Sequence, residues 1–214
     1  RNCNVSEFNH GIYLYSSSNN NITNNVAHHN TGRGFYLYVF SSYNNIVNNT
    51  AYNNGEYGFN PMANSNYNNF TGNTAYNCTN TGFIVTESHN NTIRDCLAYG
   101  FTDSKGFYVE EGSQENVLLN NTAYNNKYGF ALATNAAYNF YSDNKAYNNS
   151  DSGFFFAQQA RYNILVNNTV YNNPRGFYMI ENSRYNNISD NIIYNNTLYQ
   201  MYLIGTTNNL IYNN

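Results

Sequence analysis

Tryptophan is absent from this chain of 214 residues, proline appears only twice, and charged side chains make up 10%. The few charges sum to −3, which excludes the basic footprint of a nucleic-acid-binding protein. No apolar run approaches the length of a membrane span, so no membrane insertion is expected, and no signal-peptide pattern is present. The chain opens at Arg1 inside a repeat unit, as a mature or excised segment would. Cysteine is scarce too: Cys3, Cys78 and Cys96. An odd, widely spaced set excludes a complete internal disulfide framework and lacks metal-ligand spacing, so small buried residues are expected.

What is abundant is asparagine, with 50 residues, and tyrosine, with 24. So polar a composition on its own suggests disorder. Two features oppose that reading: aromatics reach 18%, and the apolar residues are periodic. NNTAYNN stands at Asn48–Asn54 and again at Asn120–Asn126, with NNTVYNN at Asn167–Asn173 and GNTAYNC at Gly72–Cys78. A glycine followed by an apolar residue recurs at Gly11, Gly34, Gly58, Gly82, Gly106, Gly129, Gly153 and Gly176, in steps of 23 or 24. Gln200-Met201 holds that place in a ninth unit. Nine units follow one another with no linker between them.

Each unit divides into three short strands and three turns. After the glycine, apolar residues alternate with period two, as in Phe35 and Leu37 or Phe107 and Val109, which is a strand with one buried face. A small-residue corner follows: Ser17, Ser41, Ser65, Ser88, Ser113, Ala136, Ala160, Ser183 and Gly205. Next comes an uninterrupted asparagine column of Asn20, Asn44, Asn68, Asn91, Asn116, Asn139, Asn163, Asn186 and Asn208. Two residues on is a bulky apolar column from Ile22 and Ile46 to Ile188 and Leu210, the inward position of the second strand. A second asparagine column holds Asn25, Asn49, Asn73, Asn121, Asn144, Asn168 and Asn191, interrupted by Cys96. The third strand places Ala27, Ala51, Ala75 and their equivalents inward, with a tyrosine column outside them from Tyr52 to Tyr194.

Stacked coils set equivalent residues about 4.8 Å apart, the strand spacing within a sheet. At that distance one asparagine amide can donate to the next asparagine carbonyl, so buried columns become hydrogen-bonded ladders. Asparagine also tolerates the left-handed backbone of a sharp turn. Helical solenoids are excluded because no 3.6-residue period exists, and a β-propeller needs blades of about 40 residues. The pattern predicts an all-β parallel solenoid of about nine coils, 23–24 residues per coil, as a single domain over residues 1–214.

The unit G-F-x-L … S-x-x-N-N-x-I-x-x-N-x-A-x-x-N, whose I-x-x-N-x-A core stands at Ile46–Ala51, resembles the right-handed parallel β-helix repeat of pectate-lyase-like and NosD-type surface or periplasmic proteins. The richness in NNTAYNN units resembles archaeal cell-surface β-helix proteins most. The resemblance implies a right-handed, single-stranded β-helix. It also implies a choice among polysaccharide lyases, glycoside hydrolases, epimerases, adhesins and envelope proteins.

A β-helix enzyme needs convergent carboxylates or a basic residue on one exposed sheet. The densest charges lie in Glu87, Arg94, Asp95, Asp103, Lys105, Glu110, Glu111 and Glu115, and Glu87, Glu110 and Glu111 are the candidate catalytic carboxylates. Solvated corner residues in loose ion pairs are the simpler account of them. For a metal, His10, His28 and His29 sit near the first coil, and copper is what the resemblance suggests. Adjacent histidines on a strand point to opposite faces, so no metal or cofactor is expected. N-x-S/T sequons occur at Asn4, Asn21, Asn48, Asn69, Asn77, Asn90, Asn120, Asn148, Asn167, Asn187 and Asn195. Asn77, Asn148 and Asn195 follow the outward tyrosine and are the candidates for exposed glycans, which would place the protein outside the cell.

Both chain ends fall within a coil with no capping pattern, so the segment is expected to belong to a longer solenoid or to stack end to end on copies of itself. That regularity favours an extracellular structural protein of the envelope, a filament or a surface layer. The alternatives are a polysaccharide-acting enzyme on a β-helix scaffold and an adhesin or glycan-binding module.

Overall fold

The computed structural model describes residues 2–214, and its 27 strands form three parallel sheets of nine strands each. Every coil gives one strand to each sheet: in one coil Phe35–Tyr38 to the first, Asn45–Val47 to the second and Thr50–Tyr52 to the third. Each strand pairs with its equivalent in the next coil, so Phe35 lies beside Phe59, Ile46 beside Phe70 and Ala51 beside Ala75. The fold is therefore an all-β solenoid with no helix among the described residues.

Inward residues of the three sheets make one continuous core. The phenylalanines that follow the repeat glycines are stacked 4.7 Å apart at Phe35–Phe59 and at Phe59–Phe83. Alanine on the third sheet leaves room for these rings. The repeat glycine is required by close approach: a Cβ on Gly34 would stand 2.7 Å from the Gly58 carbonyl oxygen and 2.8 Å from the Ala51 Cβ.

Asparagines turn the corners between sheets. In the first ladder Asn44 donates from both its backbone amide and Nδ2 to Oδ1 of Asn68, at 2.9 and 3.0 Å. In the second, Asn144 makes the same pair of bonds to Asn168, both at 3.0 Å. Cys96 takes one rung of that ladder; its Sγ receives the Asn73 amide at 3.4 Å, and its own amide donates to Asn121 at 2.9 Å. A third ladder, not recognised in the sequence, runs through Asn30, Asn54, Asn126, Asn149, Asn173 and Asn196. Cys78 and Phe101 fill its two middle rungs, and the Asn54 amide reaches Cys78 Sγ at 3.8 Å. The second asparagine of each AYNN was the available signal.

The last coil corrects the sequence alignment by one residue. The rung above Asn186 is Asn209, which accepts the Asn186 Nδ2 at 3.0 Å, and not Asn208. Ile188 pairs with Ile211, which leaves Leu210 exposed. Gly205 has φ +60 and stands level with Asn182, a turn position, so it is not the small corner residue. Smallness had been read as a corner signal where the glycine serves a left-handed turn.

Candidate functional site: the outer face of the first sheet

The first sheet shows three outward columns. One precedes each glycine: His10, Arg33, Tyr57, Thr81, Lys105, Tyr128, Ser152, Arg175 and Tyr199. The second runs from Tyr13 and Tyr36 through Tyr108, Ala131 and Phe155 to Tyr178 and Tyr202. The third includes Tyr38, Met62, Thr86 and Glu110, and continues level with Ala133 and Ala157. Bulky neighbours shield much of this face, so that Tyr36, Asn60, Ile84 and Ala131 are buried although they point away from the core.

Charge gathers here. Among the described residues, both ion pairs and all six cation–ring contacts lie on this face. Arg33 pairs with Glu56 at 3.0 Å and lies 3.9 Å from the ring centre of Tyr36. Burial, and after it the Arg33 charge, hold His10 below the usual histidine range. Farther along, Arg175 pairs with Asp151 at 2.8 Å and covers the Tyr178 ring at 4.7 Å.

Between these clusters the outward side chains shrink to alanine and the surface sinks. Ala133 and Ala157 line a groove of about 330 Å³ together with Asp103, Lys105, Tyr108, Lys127, Tyr128, Phe155, Gln158 and Glu181. Lys105 Nζ stands 4.6 Å from the centre of the Tyr108 ring. Burial lowers the Lys105 pKa, partly opposed by the charge of Glu110. Burial first, and then the Glu110 carboxylate, push the Tyr108 phenol well up. Glu110 is itself raised, chiefly by burial, while hydrogen bonds from Tyr108 and Thr86 oppose the shift. The groove thus holds a lysine biased toward the free amine beside a phenol biased toward keeping its proton, the separation of roles that acid–base chemistry uses. Two stacked-ring walls and further cations flank it.

The three candidate carboxylates part company. Glu110 is on the strand and bonded to Tyr108. Glu87 and Glu111 are exposed turn residues at φ 47 and 50, because the chain leaves the strand through a left-handed position. The residues that sequence reasoning missed are Lys127, Tyr128, Phe155 and Arg175; the available signal was Ala133 and Ala157, the small members of a column that elsewhere holds Tyr38, Met62, Thr86 and Glu110.

His28 and His29 do come together, with Nδ1 atoms 2.7 Å apart, contrary to the expectation of opposite faces. His29 has φ 51, which swings its ring back beside its neighbour. No group of three or more His, Cys, Asp or Glu side chains is placed to hold a metal among the described residues. Cys78 and Cys96 are buried in separate ladders, with thiol pKa values pushed up to about 11 and about 12 by burial. This donor set does not fit a multi-ligand copper centre.

Residues 79–214 match the family model described as periplasmic copper-binding protein (NosD), and residues 1–75 match that of the right-handed beta helix region. No curated protein is recognisably similar in sequence. Among solved structures, a periplasmic alginate epimerase, AlgG, superposes with TM-score 0.79 at 16% identity, over 94% of this chain and 49% of that one. The A-module of an Azotobacter vinelandii mannuronan C-5 epimerase gives 0.71 at 17% identity, over 91% of this chain and 56% of that one. An alginate lyase from a Paenibacillus species gives 0.52 at 16% identity, over 88% and 76%. The chain spans about half the length of the first two structures it resembles, and at these identities the likeness is one of fold. With the family model matching well over half of its length, the chain belongs to the NosD family of right-handed β-helices.

Proposed function

We propose that the groove over Ala133 and Ala157 binds a uronate-containing polysaccharide and acts on it by acid–base chemistry at the carbon beside the carboxylate. The observation that carries this is the convergence of Lys105, Lys127 and Arg175 with the rings of Tyr108, Phe155 and Tyr178 on one face. The cations suit carboxylates spaced along a chain, and the rings suit the apolar faces of sugars. In the reaction, the Lys105 amine takes the proton from the carbon next to the carboxylate, while a neighbouring cation steadies the charge that moves onto the carboxylate. In elimination the bond to the neighbouring glycosidic oxygen breaks, a carbon–carbon double bond forms, and Tyr108 gives its proton to that oxygen. In epimerisation a proton returns to the opposite face of the same carbon.

The relatives' names support a place in the envelope or outside the cell: the family model is described as periplasmic, and so is the alginate epimerase. Asn77, Asn148 and Asn195 are exposed, as are the sequon residues Asn4, Asn21, Asn48, Asn120 and Asn167, so the fold leaves room for glycans at these positions. The test is a panel of uronate and neutral polysaccharides in heavy water. Deuterium entering the uronate ring, or unsaturated sugars released, is expected, with loss in Lys105→Gln. Absence of exchange, cleavage and binding with every uronate polymer would overturn the reading. The ladders running the length of the chain favour a second reading, a structural envelope solenoid, which binding without turnover or filament formation would support.

A further inference from the structure

A second opening lies on another edge of the solenoid, at the corner between the first and second sheets. One turn position there is left-handed in every coil. Asparagine, the residue suited to it, occupies Asn19, Asn90 and Asn208, at φ 62, 57 and 56. Tyrosine occupies it at Tyr43, Tyr67, Tyr138, Tyr162 and Tyr185, at φ 56–59, where a bulky residue is unfavourable. These rings are well exposed and stack on one another: Tyr43 on Tyr67 at 5.0 Å, Tyr138 on Tyr162 and Tyr162 on Tyr185 at 5.1 Å, each within 5° of parallel. Asn90 and then Glu115 break the ladder for two coils. One face of the Tyr67 ring is covered by Tyr43, and on the other side the shorter Asn90 stands in place of a stacking ring.

The break is a slot of about 400 Å³ lined by Asn66, Tyr67, His89, Asn90, Gln114 and Glu115. Its size falls within the range of small-ligand sites. His89 is held in place from both sides. Its backbone amide donates to Asn66 Oδ1 at 2.7 Å, and its Nδ1 accepts the Gln114 amide at 3.1 Å. With Nδ1 accepting, the neutral ring carries its proton on Nε2, as a donor. Among the described residues, the side-chain amides of Asn90 and Gln114 and the Glu115 carboxylate find no hydrogen-bond partner. The slot therefore offers one bare aromatic face beside oriented donors and acceptors, and its one charge is negative.

We propose that this slot is a second carbohydrate site, which takes a neutral pyranose unit of a polysaccharide. The ring would pack on the open face of Tyr67, with hydroxyls donating to Glu115 and accepting from His89 Nε2. Glu115 repels the uronates for which the groove over Ala133 is suited, so the two sites select different sugars. The inference does not depend on turnover in the groove.

The test uses the full chain made in a host that adds no N-glycans, since Asn90 also begins a sequon. Hexasaccharides of glucose, mannose and xylose, and an oligouronate as contrast, are titrated by calorimetry and by NMR. Saturable binding of a neutral series that shifts the His89 ring signals is expected. Tyr67→Asn keeps the turn, because asparagine fills the same position elsewhere, and should weaken binding at least tenfold. His89→Ala should also weaken it, while Lys105→Gln leaves it unchanged. Failure of all three neutral series to bind would overturn the proposal. So would binding that survives Tyr67→Asn, or binding that Lys105→Gln abolishes.

Discussion

Asn144 Oδ1 accepts two hydrogen bonds from Asn121, one from its backbone amide at 2.9 Å and one from its Nδ2 at 3.0 Å. Asn144 in turn donates through Nδ2 to the Leu118 carbonyl at 2.8 Å. With the bond from Nδ2 to Asn168 Oδ1 at 3.0 Å, a single side chain thus closes four bonds at a corner that water does not reach. Replacing it by alanine leaves the buried Asn121 backbone amide without its acceptor and takes a donor from the Leu118 carbonyl and from Asn168 Oδ1. Asn144→Ala should destabilise the chain by about 2–4 kcal/mol, read from denaturant unfolding. Asn144→Asp should cost a similar amount, because a carboxylate has no proton for the Leu118 carbonyl.

Gly129 is a test of close approach. A Cβ there would stand 2.6 Å from the Gly153 carbonyl oxygen and 3.1 Å from the Ala146 Cβ. Backbone cannot yield as a flexible side chain does, so Gly129→Ala should cost about 1–3 kcal/mol, seen as a lower Tm. Gly112 has open space around it and φ +69, so Gly112→Asn, which suits that backbone, should change little.

The Tyr141 hydroxyl lies wholly inside the core with no hydrogen-bond partner, where its column otherwise holds isoleucine, leucine or phenylalanine. Burial raises its pKa well above the usual value. Tyr141→Phe removes a desolvated polar atom and keeps the ring. It should raise stability by about 1–2 kcal/mol in denaturant unfolding; a loss of that size would show that the hydroxyl is satisfied.

Cys96 sets an alkaline limit. Its thiol titrates near 9.0 when exposed and at about 12 in the fold. Between those values the folded state holds a proton that the unfolded state has released. Its contribution to stability is therefore present below pH 9 and lost as pH rises through that window. Cys78, raised to about 11, acts in the same sense. Cys96→Asn restores the ladder and should flatten the fall in stability over pH 9–12, measured by urea titration at each pH.

Filling the groove separates binding from folding. Ala133→Phe places a ring where the floor of the groove now lies, on the outer face and away from the core. Sugar binding in the groove should fall at least tenfold while the Tm changes little, with calorimetry and thermal unfolding as the two readouts.

The coil length, the three strands and the inward columns were legible because each rests on one residue type returning at a fixed interval. Phe35, Ile46 and Ala51 announce their faces without reference to anything distant. The first two asparagine columns were legible for the same reason; the third is interrupted in two successive coils by Cys78 and Phe101, which breaks its regularity. The final coil misled because Gly205 could be read as small or as left-handed. Glu87 and Glu110 were joined because their closeness along the sequence, within one coil step, did not reveal the turn that divides them.

By itself the sequence determined an Asn-laddered, all-β solenoid, since a repeat of 23 or 24 residues with three short period-two segments and no helical spacing is buried by stacking strand on strand. The tertiary structure alone decided what the outer surface can do. Outward residues of the first sheet keep no single residue type from coil to coil, and their surroundings come from neighbours a whole coil away. That is how Ala133 and Ala157 become the floor of a groove, how Lys105 comes to lie beside Tyr108, and how Asn90 and Glu115 open a slot in a wall of tyrosine.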